Sequence, residues 1–128
     1  MSGDHPTRPR GRSSAGQASV EFALVLPVIA VMGLGLVVIG VAVRNELAVE
    51  LAAREGARAA AVSAAPAAAA TAAATRAVQL PIEVSTVDDG ETVTVTVRYV
   101  DPVDVALIGT LIGPVTHTAT VTMAVEPP

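Results

Sequence analysis

Gly16-Gln-Ala-Ser-Val-Glu-Phe-Ala-Leu-Val-Leu-Pro27 opens the stretch that decides the fold, and the apolar run it starts continues from Phe22 to Val43 without one charged residue. A helix crossing a hydrocarbon core needs about 20 such residues, so residues 22–43 are long enough to span a bilayer with some tilt. Glu21 stands immediately before the run, and Arg8, Arg10 and Arg12 lie upstream. Arginines close to a span favour the cytoplasmic side, which predicts a cytoplasmic N-terminal tail and an extracytoplasmic remainder. Arg44, just past the run, weighs weakly the other way. A secretory signal peptide also has a basic start, but its apolar region is about 7–15 residues long and leads to a small-residue cleavage site. This run is longer, and Val41-Ala42-Val43 is a poor site.

The remaining composition sets narrow limits. In 128 residues there is room for one small domain outside the membrane, with no cysteine to staple it and only Phe22 and Tyr99 as aromatics. A domain without disulfides or bulky side chains buries little apolar area, so it is expected to lean on its own helix or on a partner. After Val43 acidic residues outnumber arginines, and nothing basic enough to grip nucleic acid is present.

Taken in order, residues 1–16 form a basic, polar leader that lacks the apolar content to fold. Residues 17–63 are expected to form one extended helix. Pro27 removes a backbone hydrogen bond within it and is expected to bend it. Gly33, Gly35 and Gly40 are small enough for close approach of a second helix, although their spacing is not GxxxG and membrane helices tolerate glycine without such a role. From Arg44 to Ser63 the residues are good helix formers, with Glu50–Arg54 and Glu55–Arg58 pairs at helical spacing. At 100° per residue Ala48, Ala52, Gly56, Ala59 and Ala60 share one side, while Arg54, Arg58, Leu47 and Leu51 gather elsewhere. Ala52, Gly56 and Ala60 are therefore the candidate helix-packing positions. Residues 64–80 are rich in alanine; Pro66 is expected to end or kink the helix, and a second helix to about Leu80 competes with a low-complexity linker.

In residues 81–128 the period changes from 3.6 to 2. Ile82 to Val87 alternates, Asp88-Asp-Gly-Glu91 supplies a turn, and Thr92 to Tyr99 places Val93, Val95, Val97 and Tyr99 on one face. Val103 to Gly113 reads as a compact apolar loop or helical turn closed by Pro114. Thr116 to Glu126 forms the last strand, with Ala119, Val121, Met123 and Val125 facing in. The predicted class is α+β: a long N-terminal transmembrane helix followed by a small three-stranded antiparallel sheet, with the alanine-rich helix as its cover.

No catalytic constellation is present. His5 lies in the leader, and His117 reads as a surface residue on a strand's polar face. Asp88 and Asp89 fit a turn better than a calcium loop. No phosphate loop, zinc spacing or nucleophile elbow occurs, so no enzyme, cofactor or metal site is expected. The chemistry is at the membrane edge. A carboxylate opening a transmembrane helix is costly unless it is paired or stays at the interface, which makes Glu21 a functional candidate. The alternative is a favourable position in the first helical turn, worth well under about 2 kcal/mol.

Gly16 followed by Gln17-Ala-Ser-Val-Glu21 and an apolar span resembles the leader of a type IV prepilin. With Ala52-Ala-Arg-Glu-Gly-Ala-Arg58 about 30 residues on, it is similar to the TadE-like pseudopilins, minor components of the tight-adherence (Flp-type) pilus machinery. The specific resemblance covers residues 16–63. It implies a pilin-like fold and a prepilin peptidase that cuts between Gly16 and Gln17. Glu21, fifth in the mature chain, would serve recognition or pair with the new amino terminus of a neighbouring subunit. It further implies a single-pass protein of the cytoplasmic (inner) membrane, with the lipid bilayer, other pilins or pseudopilins and pilus-assembly membrane proteins as partners. Phe22 stands where major Flp pilins have tyrosine, and Gln17 where other pilins have phenylalanine. The outer domain far exceeds that of a major Flp pilin, which points to a minor, assembly-associated role. Two rivals remain: an unprocessed membrane-anchored binding module with a Thr-rich sheet, and a secreted protein cut after the span.

Overall fold

The computed structural model describes Met1, Gly3, residues 14–105 and residues 107–127. Arg8, Arg10 and Arg12 of the basic leader, with His5, lie outside the described residues. The chain divides into two units, Met1–Leu34 and Gly35–Pro128.

The described core of the first unit is the beginning of α1 (Ser14–Ala61), a helix of 48 residues with Pro27 inside it. From Gly16 to Gly33 every side chain is exposed, although leucine, valine and isoleucine dominate. Phe22 is 64% exposed and Met32 65%. Among the described residues, α1 is the one helix long and apolar enough to cross a membrane. The bulky apolar surface has no protein cover.

The second unit holds the rest of α1, then α2 (Pro66–Ala77), β1 (Glu83–Asp88), β2 (Thr92–Asp101), α3 (Ile108–Ile112) and β3 (Val115–Ala124). The class is α+β, and the sheet is an antiparallel meander in the order β1-β2-β3. Val84 pairs with Val97 on one side of β2, while Val95 and Val97 face Val121 and Ala119 on the other. Val93, Val95 and Val97 are fully buried. On the opposite face Thr94 and Thr122 are hydrogen-bonded at 2.8 Å and Thr96 and Thr120 at 3.1 Å, cross-strand pairs that tie β2 to β3. The alternation of β1 places Val84 and Thr86 inward, leaving Val87 68% exposed.

Helices cover the apolar face with small side chains. Val49, Ala52, Ala53, Ala57 and Ala60 of α1 join Ala70 and Ala74 of α2 in one cluster with the β2 valines. The buried face thus includes Ala53 and Ala57, whereas Ala48 and Ala59 are half-buried. The helix ends at Ala61, two residues before the expected Ser63. There the Ser63 hydroxyl accepts the Ala65 N–H at 3.1 Å, and Pro66 takes the first turn of α2, where its missing donor leaves no bond unmade. The second helix stops at Ala77, short of the expected Leu80. At the far end of the sheet Glu126 donates its N–H to Ala61 at 3.0 Å, tying the C-terminal segment to α1.

Candidate functional site

The leader residues form the first region of interest. Gly16 lies in the first turn of α1, exposed, with open space around the position a Cβ would take. The Gln17 side-chain amide donates to Glu21 Oε1 at 3.4 Å, one helical turn away, so the two side chains share a face at the entrance to the apolar run. Because α1 begins at Ser14, its first turn carries no acid and Glu21 falls beyond it. A helix dipole acts within the first turn, so dipole placement does not account for Glu21 in the uncut chain.

The small positions lie elsewhere on α1. Ala52, Gly56 and Ala60 are buried. A Cβ added at Gly56 would stand 3.2 Å from the Ala70 carbonyl oxygen, 3.2 Å from Val95 Cγ1 and 3.5 Å from Ala74 Cβ. These contacts bring α1 against α2 and β2 at backbone distance. The occupant of the small face is the chain's own second helix and sheet.

A third group is a correction to the sequence reading. His117 lies on the inward face, 6% exposed, rather than on the polar face of β3. Its Nδ1 is 2.9 Å from Glu46 Oε2, and its ring stacks on Tyr99 with centroids 6.3 Å apart. Its Nε2 is buried without a partner among the described residues. One residue back on α1, Asn45 is 5% exposed and donates from Nδ2 to Asp101 Oδ2 at 2.6 Å. Asp101 Oδ1 accepts the Val103 N–H at 2.9 Å. Asn45 and Glu46 therefore fasten the ends of β2 and β3 to α1. The signal for His117 was present in the alternation, since it is two residues before the inward Ala119. No residue pattern marked Asn45 and Glu46, which meet their partners only through the tertiary fold. No group of three or more His, Cys, Asp or Glu side chains that could hold a metal ion occurs among the described residues.

Residues 16–58 match the family model described as TadE-like protein. Comparison with curated proteins and with solved structures gives no match. The match begins at Gly16 and ends within α1, before the sheet. It supports a protein related to the tight-adherence pilus in general, associated with pilus-assembly proteins, and the long apolar helix suggests a membrane anchor.

Proposed function

With a TadE-like segment at residues 16–58 as the premise, we propose that this chain is a non-enzymatic minor pseudopilin. It sits in the cytoplasmic membrane with its leader inside and its sheet outside, and takes part in assembly of, or secretion through, a tight-adherence pilus. A prepilin peptidase removes the leader between Gly16 and Gln17. The observation that carries this reading is the row Gly16, Gln17, Glu21 at the mouth of an uncovered apolar helix. Gly16 has the lowest helix propensity apart from proline and lies in a terminal turn, where helices fray, so the scissile bond opens at little cost. Cleavage creates an ammonium at Gln17. In a dry interface between subunits that ammonium and Glu21 of a neighbour attract, whereas either alone is expensive to bury.

Mass measurement of the mature N-terminus in the native host tests the reading. A start at Gln17 supports it, a start at Met1 supports the unprocessed anchor, and a start near Arg44 supports the secreted form. Glu21→Ala is expected to block processing or pilus assembly; unchanged levels of both remove the role given to Glu21. Gly16→Phe is expected to leave uncut precursor in the membrane.

A further inference from the structure

Between β2 and β3 the described residues 102–105 and 107–114 form a knob that contains α3. From Val105 to Thr116 it carries no charged residue. Leu107 is 74% exposed, Leu111 85% and Ile112 57%. Val93, Val95 and Val97 of the sheet are buried in one cluster with α1 and α2, whereas the knob leaves three bulky apolar side chains open within six residues.

Its place in the fold says what covers it. Val103, Val105 and Ile112 of the knob and Val38, Val41 and Ala42 of α1 line one cleft of about 220 Å³. Val38, Val41 and Ala42 belong to the uncharged run that ends at Val43. At 1.5 Å per residue, Val38 is about 7 Å inside the end of that run. A segment packed at this level is held about as deep as interfacial helices sit, roughly 5–10 Å into the boundary between headgroups and acyl chains. Polar groups mark the water side: Asn45, two residues past the run, meets Asp101 of the cleft wall, Arg44 is exposed beside it, and Asp104, also lining the cleft, is exposed.

The knob also satisfies part of its own polar backbone. The Val105 N–H donates to Val103 at 2.9 Å, the Gly109 N–H to Val105 at 2.8 Å and the Gly113 N–H to Gly109 at 3.0 Å. The Thr110 hydroxyl donates to the Leu107 carbonyl at 2.9 Å. A Cβ at Gly109 would collide with the Val103 carbonyl oxygen, so glycine is what lets the segment fold back on itself. Each group satisfied in this way lowers the penalty for entering a medium without water.

We infer that the knob is a second membrane contact, with Leu107, Leu111 and Ile112 seated in the leaflet on the domain's side of the bilayer. This rests on the reading of α1 as a membrane span. The contact would fix the rotation of the outer domain about its anchor and hold the sheet close to the membrane surface before assembly.

The chain has no tryptophan, so single tryptophans report on one place each. The full chain with Leu111→Trp, Ile39→Trp or Val87→Trp is reconstituted in phosphatidylcholine vesicles whose acyl chains are brominated either near the headgroup or near the methyl end. Leu111→Trp is expected to emit further to the blue than Val87→Trp and to lose more emission to shallow bromine than to deep. Val87 is on the strand edge remote from the knob and is expected to lose none. Leu107→Asp added to Leu111→Trp is expected to restore emission. Quenching of Ile39→Trp with none at Leu111→Trp overturns the inference while leaving the anchor intact, and it is the result expected if the knob instead docks on a protein. Stronger quenching of Leu111→Trp by deep bromine overturns the stated depth. Absence of quenching at Ile39→Trp overturns the anchor reading, and the inference with it.

Discussion

Two stretches of α1 solve the same problem in opposite ways. From Phe22 to Gly33 the helix carries bulky apolar side chains and every residue is exposed, with Phe22 64% and Met32 65% exposed. From Ala52 to Ala60 it carries mostly alanine, and Ala52, Ala53, Ala57 and Ala60 are fully buried. The more apolar stretch is the uncovered one. Apolarity alone therefore does not select the covering; side-chain size does. Large side chains hold a neighbouring backbone away and offer a surface that acyl chains can fill. Alanine and glycine admit another backbone to contact distance, where many weak dispersion contacts add up. One helix thus presents an uncovered apolar half, suited to lipid, and a protein-covered half without a change in secondary structure.

The largest expected effect comes from breaking the lipid-facing half. Met32→Arg places a charge near the middle of the apolar run and costs about 2.5–3.5 kcal/mol on the insertion scale. Leu47→Arg, 60% exposed but beyond the run, is expected to cost almost nothing. Membrane-integrated fractions after alkaline extraction compare the two. Equal integration would show that exposure along α1 does not distinguish lipid from water.

A smaller effect is expected in the protein-facing half. Gly56→Val forces side-chain atoms into the space between Ala70 and Val95, where a Cβ alone already stands at 3.2 Å. Such overpacking costs about 1–3 kcal/mol. In a domain of this size that lowers Tm by roughly 4–8 °C per kcal/mol. Gly40→Val meets open space in the chain itself and is expected to leave Tm of the sheet in place. Unfolding of the full chain in detergent, followed in the strand region of the circular dichroism spectrum, reads both variants. Equal Tm values for Gly56→Val and the parent would mean that the close approach at Gly56 does not hold the domain together.

The contrast also explains what the sequence discloses. The uncharged run and the alternation of β2 are local periodicities, set by the geometry of a single element, and both are legible residue by residue. The class follows from them, as do the threonine face and the turn at Asp88–Glu91. The protein-facing side of α1 was legible only in outline. Ala52, Gly56 and Ala60 stand out by size, but the inclusion of Ala53 and Ala57 depends on the angle at which α2 and the sheet approach. His117 was misread because its polar character outweighed its register, although two residues separate it from the inward Ala119. Asn45 and Glu46 carry no local signal, since their partners Asp101 and His117 are 56 and 71 residues away. The leader was readable as a motif, and its spacing, with Gly16 and Glu21 on either side of one helical turn, says which residues to test.

The smallest expected effect is at the hairpin between β1 and β2, at the opposite end of the sheet from the Asp101–Val115 pair. Asp89 Oδ1 accepts the Thr92 N–H at 2.6 Å and the Glu91 N–H at 3.0 Å, and Oδ2 accepts the Thr92 hydroxyl at 3.0 Å. These donors favour the charged carboxylate and hold its pKa below the ordinary value of 3.8, the Thr92 backbone contributing most. A lowered folded-state pKa stabilises the hairpin fully above the unfolded value, and the contribution is lost as pH falls through the lower folded one. Asp89→Asn keeps an acceptor but no charge, so it is expected to lower Tm slightly at pH 7. The gap to the parent should narrow below about pH 4, where the unfolded carboxyl takes up its proton. Because the side chain is fully exposed, the gap should also shrink with added salt. A gap that stays constant from pH 7 to pH 3 would show that the turn is held by its geometry, with Gly90 at φ 87°, and not by the charge on Asp89.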